Sequence, residues 1–283
     1  MQNTLICCMI GDGIYMMFRS DIMTEKDMKK RRLRLWLGVA GCVLMVIGEL
    51  LWKVKGWSPI DTTLGSFADT AWLGIAAWRL VLSDILVAIA APLCFIGYME
   101  MYRIVREHAR CKLEQRLAWW FRFGAVASTI AFVFIHTLCV SMPMIMQLII
   151  PYMDQIAAAE LVNQYMMLNI APMIMYYLAA DGVLFAVMLV IAWRRMLPVS
   201  RLALLCNPLC TAALGAILAM LPWPMSQIQG AAEPCGHLLI MVLGLITAAK
   251  DRRMTPHRRR KSDGDLPPVW NLDDEEDSDI TVI

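Results

Sequence analysis

Basic residues are missing from two long stretches of this 283-residue chain: no Lys or Arg occurs between Arg122 and Arg194, and none between Arg201 and Lys250. Only 18% of the residues are charged and 59% are hydrophobic, whereas about a quarter of a soluble domain is charged. Uncharged apolar runs of this length exclude an ordinary water-soluble core and read as membrane spans. Other signatures are absent too. The nine cysteines form no C-x-x-C pair, and Cys206 and Cys210, four apart, suit one helix face rather than a zinc knuckle or a disulfide framework. There is no G-x-G-x-x-G, P-loop, G-x-S-x-G or H-E-x-x-H, so the sequence signals of nucleotide binding, α/β-hydrolase chemistry and zinc proteolysis are lacking. The absence of an internal repeat weighs against an inverted-repeat transporter. A net charge of +2 supports no nucleic-acid partner.

What is present is apolar and segmented. A span needs roughly 20 apolar residues to cross about 30 Å of hydrocarbon. Six segments qualify, at about 33–52, 80–102, 117–140, 168–193, 202–222 and 236–249. The third continues in apolar residues to Pro151, and the last starts a few residues early. Backbone polar groups in lipid must be satisfied within each segment, so the expected fold is an all-α polytopic membrane bundle of six helices. Its domains are a cytoplasmic N-terminal segment (1–32), the transmembrane domain (33–249) and a disordered cytoplasmic tail (250–283). Lys29 to Arg34, Arg103 to Arg116, Arg194 to Arg201 and the tail place nearly all basic residues on one side. Only Lys53, Lys55 and Arg79 fall on the other. The positive-inside rule makes the basic side cytoplasmic, with both termini there and the plasma membrane as the location. Trp36, Trp119, Trp120 and Trp193 mark the inner border, and Trp52, Trp57, Trp78 and Trp223 the outer one.

The ends read differently. LICCMIGDGIYMMF, within residues 1–22, is too short for a span, contains Asp12 and lacks a basic leader, so a start at Met23 or Met28 is an equal reading. After Lys250 the chain turns from basic (HRRRK) to acidic (DDEEDSD), a disordered composition. Arg258, Arg259, Arg260 and Lys261 suit anionic headgroups, and the final TVI has the pattern of ligands that add a strand to PDZ-type domains.

Ionisable groups inside spans default to functional hypotheses, because a charge near the helix centre costs about 2.5–3.5 kcal/mol. Glu49, Ser83–Asp84, His136, Asp181 and His237 all fall in the middle or outer half of the bilayer, which points to a polar pocket open to the outside. Plainer readings stand beside this. Asp84 pairs with Arg79, Glu49 pairs with Lys53 at i+4, His136 bonds a neighbouring backbone, and His237 lies in a loop. Asp181 resists such a reading, having no basic residue within twelve positions; Tyr177, one turn earlier, is its candidate donor. No metal or cofactor is assigned. His136 and His237 are the available span histidines, with Asp84, Asp181 and Glu49 as oxygen donors, but no H-x-x-x-H face unites them. Met142, Met144 and Met146, with Met166 to Met175, suggest Cu(I) handling or, more simply, adaptable apolar filler. Gly38, Gly41 and Cys42, and Ala212, Gly215, Ala216 and Ala219, read as close helix packing.

Three functions remain open: binding or sensing a small amphiphile or lipid in the outer pocket, secondary transport with Asp181 as coupling residue, and metal-dependent intramembrane hydrolysis by Asp84, His136 and Asp181. Leu82–Ser83–Asp84 and His136 are similar to the pattern of the alkaline-ceramidase and adiponectin-receptor hydrolases. This chain has six predicted spans instead of seven and lacks that group's paired histidines in the last span. R-L-x-x-S at 79–83, APLCFIGYMEMY after it and FVFIHTL one span later resemble bacterial six-span membrane families of unknown function, over about residues 35–250. That resemblance implies a bacterial plasma-membrane protein and no particular activity.

Overall fold

A computed structural model describes residues 25–55, 68–200, 207–222 and 225–262. The apolar N-terminal stretch, Trp57, Arg201, Trp223, the acidic tail and TVI lie outside the described residues. Those described form helices and no strands. They are α1 (Glu25–Lys53), a 3₁₀ turn (Thr70–Gly74), α2 (Ala77–Glu107), α3 (Lys112–Ile149), α4 (Gln155–Tyr176), a π turn (Tyr177–Asp181), α5 (Gly182–Trp193), α6 (Pro208–Ala219), a second 3₁₀ turn (Met225–Ala231) and α7 (Ala232–Ser262).

The helix ends follow from local chemistry. Glu25 and Asp27 occupy the first turn of α1 and Lys53 its last, matching the helix dipole. Asp154 caps α4 by accepting from the Ile156 and Ala157 N–H groups. Asn207 caps α6 through the Cys210 N–H, with Pro208 at its first turn. The α5 terminus closes on Arg195, whose φ of 51° is left-handed. There the Met196 N–H reaches the Ile191 carbonyl at 3.1 Å and the Arg195 N–H reaches Ala192 at 3.2 Å.

Five helical segments are long and apolar enough to cross a membrane: Glu25–Lys53, Ala77–Glu107, Lys112–Ile149, Gln155–Trp193 and Met225–Asp251. The continuation of the third span past Ser141 and the early start of the last agree with expectation. The expected fifth span, 202–222, does not appear as a full helix. Its described helix, α6, has 12 residues, about 18 Å at the α-helical rise. Asn207 followed by Pro208 starts the helix late, which is the physical reason. A Cβ on Gly236 would collide with Pro208, and one on Gly215 would meet Ala232 and the Gln229 carbonyl. So α6 runs antiparallel to the start of α7, with its N-terminus buried at the depth of Gly236; Asn207 is fully buried.

The tightest packing is between α1 and α2. A Cβ on Gly97 would lie 2.6 Å from the Gly38 Cα, and one on Gly41 would lie 2.8 Å from the Ala90 carbonyl oxygen and from the Cys94 nitrogen and sulfur. Small residues thus let two backbones touch, as in membrane helix pairs generally. Cys42, Met45 and Cys94 are buried in this seam, where sulfur fills the remaining space.

The Arg-rich end is closed by an ion network. Buried Arg31 donates to Glu100 (3.2 Å) and Glu107 (2.5 Å), while Glu100 also accepts from Arg34 (3.0 Å) and, as the i+3 spacing implies, from Arg103 (2.9 Å). The outward surface is apolar instead: Leu168 is 81% exposed, Leu148 69% and Ile130 68%. Polar inside and apolar outside is the arrangement of a lipid-facing bundle. Trp36, Trp78, Trp119, Trp120 and Trp193 are exposed, as border residues should be, whereas Trp52 is buried inside. The last helix, α7, runs as far as Ser262.

Replacing Gly97 by Val is expected to lower the melting temperature of the detergent-purified protein, by an amount equivalent to about 1–3 kcal/mol of overpacking. Ile89→Ala, on an exposed side of the same helix, serves as the comparison. Equal melting temperatures for Gly97→Val and wild type would show that α1 and α2 do not touch there.

Candidate functional site

The close approach of α1 and α2 recurs at Gly48, where a Cβ would meet Val87 and the Ser83 carbonyl. This contact carries the Ser83 hydroxyl to the Gly48 carbonyl oxygen, to which it donates at 2.6 Å. One residue further along α1, Glu49 reaches across to α3, and its Oε1 lies 2.7 Å from His136 Nδ1. Its Oε2 accepts from the Trp52 indole N–H at 3.0 Å. His136 Nε2 is 3.0 Å from Ser83 Oγ and 3.8 Å from Asp84 Oδ1. Glu49, Ser83 and His136 are all buried.

Serine, histidine and glutamate in this order look like a nucleophile, base and orienter. The proton count argues otherwise. Ser83 has one hydroxyl proton, and the Gly48 carbonyl, which can only accept, takes it. His136 Nε2 must then carry a hydrogen and donate to Ser83, leaving it no lone pair with which to take the serine proton. The Nδ1–Oε1 contact needs one more hydrogen, held by either partner. The Glu49–His136 pair is therefore neutral as a whole, a state compatible with burial in an apolar bundle.

A second group lies deeper. Asp181 belongs to the π turn between α4 and α5, where the Gly182 N–H reaches back to the Tyr177 carbonyl; such turns recur at functional sites. Asp181 Oδ1 accepts from Ser128 on α3 at 2.8 Å. From α7, Glu233 accepts from the Tyr176 and Tyr177 hydroxyls at 2.6 and 3.0 Å. His237 Nδ1 is 2.5 Å from the Tyr98 hydroxyl on α2. One ligating atom from each of Asp181, Glu233 and His237 lies within 4.8 Å of the others.

The expected pocket residues thus divide. Glu49, Ser83, Asp84 and His136 form one group, and Asp181 joins His237 in another. Asp84, His136 and Asp181, expected together in the hydrolase reading, do not share one ligand cluster among the described residues. Arg79 donates to the Val54 carbonyl (2.6 Å) rather than to Asp84, which is half-buried and accepts from Thr137 at 3.3 Å. Glu49 is turned inward to His136 instead of pairing with Lys53, whose ammonium lies 4.0 Å from the Trp52 ring centroid. His237 is in a helix and buried, and Tyr177 serves Glu233 instead of Asp181. Sequence reasoning missed Glu233, Ser128, Tyr98 and Tyr176. Glu233 and His237 are spaced i,i+4 on one helix, a signal that was present and names a shared face.

A cavity of about 260 Å³ connects the groups, its walls including Glu49, Trp52, His136, Tyr177 and Glu233, with Ala212, Gly215 and Ala216 of α6 opposite. A second, of about 340 Å³, shares Trp52, Lys53, Cys139, Met173 and Gln229 with it and adds Lys55, Asp69, Trp72, Met142 and Met166. It adjoins the first on the side of the Lys55–Asp69 ion pair. Burial and the neighbouring Lys53 charge lower the Lys55 pKa to about 8.

Residues 17–251 match a family of unknown function, DUF6796, and the chain belongs to it. Among curated proteins nothing matches. No solved structure matches either.

A fluorophosphonate probe, which reacts only with an activated serine hydroxyl, is expected to leave the protein unlabelled, in the wild type as in Ser83→Ala. Labelling of the wild type that vanishes in Ser83→Ala would show that the hydroxyl is free to act as a nucleophile.

Proposed function

We propose that this DUF6796 member is a multi-pass plasma-membrane protein that binds a small amphiphile in the cavity walled by Glu49, His136, Tyr177 and Glu233. The observation that carries the reading is a cavity lined by two carboxylates, a histidine and a tyrosine inside a bundle whose outer surface is apolar. Trp52, Phe132, Ile135 and Met173 supply apolar wall for the body of such a ligand. The carboxylates and the tyrosine hydroxyl supply hydrogen bonds for its head. The adjoining cavity, with Trp72, Met142 and Met166, continues the same mixture toward the Lys55 end.

The test uses a brominated alkyl amphiphile titrated into protein held in non-brominated detergent, with tryptophan fluorescence as the readout. A bromine near Trp52 quenches it, so a saturable component of quenching is expected that is absent in Trp52→Phe and shifted to at least tenfold higher concentration in Glu49→Gln. Quenching that only follows the bromine content of the micelle, alike in all three proteins, refutes binding in this cavity.

The orientation we propose places the Arg-rich end in the cytoplasm, with six crossings and both termini inside; the fifth crossing is completed by α6 from its buried start. A C-terminal green fluorescent protein fusion in a bacterial host is then fluorescent and the matching alkaline phosphatase fusion inactive. The opposite pattern overturns the orientation.

A further inference from the structure

The Asp181, Glu233 and His237 cluster has a property the rest of the bundle lacks. Among the described residues, two buried side-chain polar atoms have no hydrogen-bond partner, Asp181 Oδ2 and His237 Nε2. Both belong to residues at least 98% buried, with Asp181 at 0% and His237 at 2% exposure. Both also belong to the cluster whose ligating atoms lie within 4.8 Å of one another. No hydrogen bond joins the three residues to each other. Leaving a buried carboxylate oxygen and a buried imidazole nitrogen unsatisfied forfeits the hydrogen bonds each would make in water, a penalty that is greatest for a charged group. Two such atoms on residues of one cluster call for a common partner.

We propose that the partner is one divalent first-row transition cation of the zinc or cobalt type, bound by Asp181, Glu233 and His237. Two carboxylates and a neutral imidazole match a doubly positive ion in charge, and no Lys or Arg forms an ion pair with either carboxylate among the described residues. The mixed nitrogen and oxygen donors fit zinc or its neighbours better than magnesium or calcium, which prefer oxygen alone. An ion at the centre of three donors 4.8 Å apart is about 2.8 Å from each, so a modest inward movement reaches the 2.0–2.2 Å of zinc–nitrogen and zinc–oxygen bonds. Each donor is held from behind: Asp181 by Ser128, Glu233 by Tyr176 and Tyr177, His237 by Tyr98. Such outer partners fix ring orientation and carboxylate direction at metal centres. A His237 Nδ1–H donated to the Tyr98 oxygen leaves Nε2 with the bare lone pair that a metal needs. Three protein donors leave a fourth position open, and Glu233 is the ligand that also forms cavity wall.

The full chain, purified in detergent and stripped with a chelator, is titrated with Zn²⁺ and separately with Co²⁺. One equivalent is expected to bind. The cobalt form should show visible d–d absorption of a nitrogen and oxygen site, without the near-ultraviolet charge-transfer band that cysteine ligation produces. Asp181→Asn, Glu233→Gln and His237→Ala should each weaken binding at least tenfold, while Glu49→Gln leaves it unchanged. That last variant, expected to weaken amphiphile binding, separates this site from the amphiphile reading. The wild-type spectrum decides the matter even where a cluster variant fails to fold. Absence of a stoichiometric ion, a sulfur charge-transfer band, or binding that survives Asp181→Asn and Glu233→Gln overturns the proposal.

Discussion

The polar interior depends on α1 and α2 meeting backbone to backbone. At Gly38, Gly41 and Gly48, successive points along α1, any side chain would enter atoms of α2. In lipid no hydrophobic force drives two apolar helices together, so dispersion at close range and interhelical hydrogen bonds must do it. The glycine contacts supply both. They bring the backbones near enough for Ser83 to reach a main-chain carbonyl, and they set Glu49 at the height of His136. A Cβ on Gly48 would also come within 3.9 Å of the His136 ring, so the seam and the buried pair are one structural unit.

Charge neutrality then governs what the interior holds. Glu49 and His136 neutralise each other, with Trp52 satisfying the remaining carboxylate oxygen. At the Arg-rich end Glu100 is surrounded by Arg31, Arg34 and Arg103, of which Arg34 and Arg103 are exposed. The deep group formed by Asp181, Glu233 and His237 has donors on its outer sides and none at its centre. Tyrosine and serine hydroxyls stabilise carboxylate charge by hydrogen bonding without cancelling it. That difference, more than the identity of any one residue, separates the deep group from the other polar groups of the bundle.

Much of this was legible in the sequence because lipid restricts the options. The uncharged runs marked the helices, and Gly38 with Gly41 marked a contact face. Asp181, far from any basic residue, pointed to the core of the bundle. What stayed hidden has specific causes. Ser128 and Tyr98 are unremarkable in apolar helices, and their roles depend on which neighbour they face, which periodicity does not state. Glu233 stands in AAEPCGH at the edge of an expected span, where an acid reads as interfacial, and only its spacing to His237 placed it on a useful face. The short α6 was signalled by Asn207–Pro208, a cap followed by a first-turn proline, but composition across 202–222 is apolar throughout and outweighed it.

The small residues of α6 bear directly on the cavity. This helix offers Ala212, Gly215 and Ala216 as its wall. Gly215 lets it lie against Ala232 and Gln229, immediately before Glu233. The small residues that hold α6 close to α7 therefore also leave room in front of Glu233. That carboxylate stands in the cavity wall and in the deep cluster at once, so anything bound in the cavity meets the cluster through it.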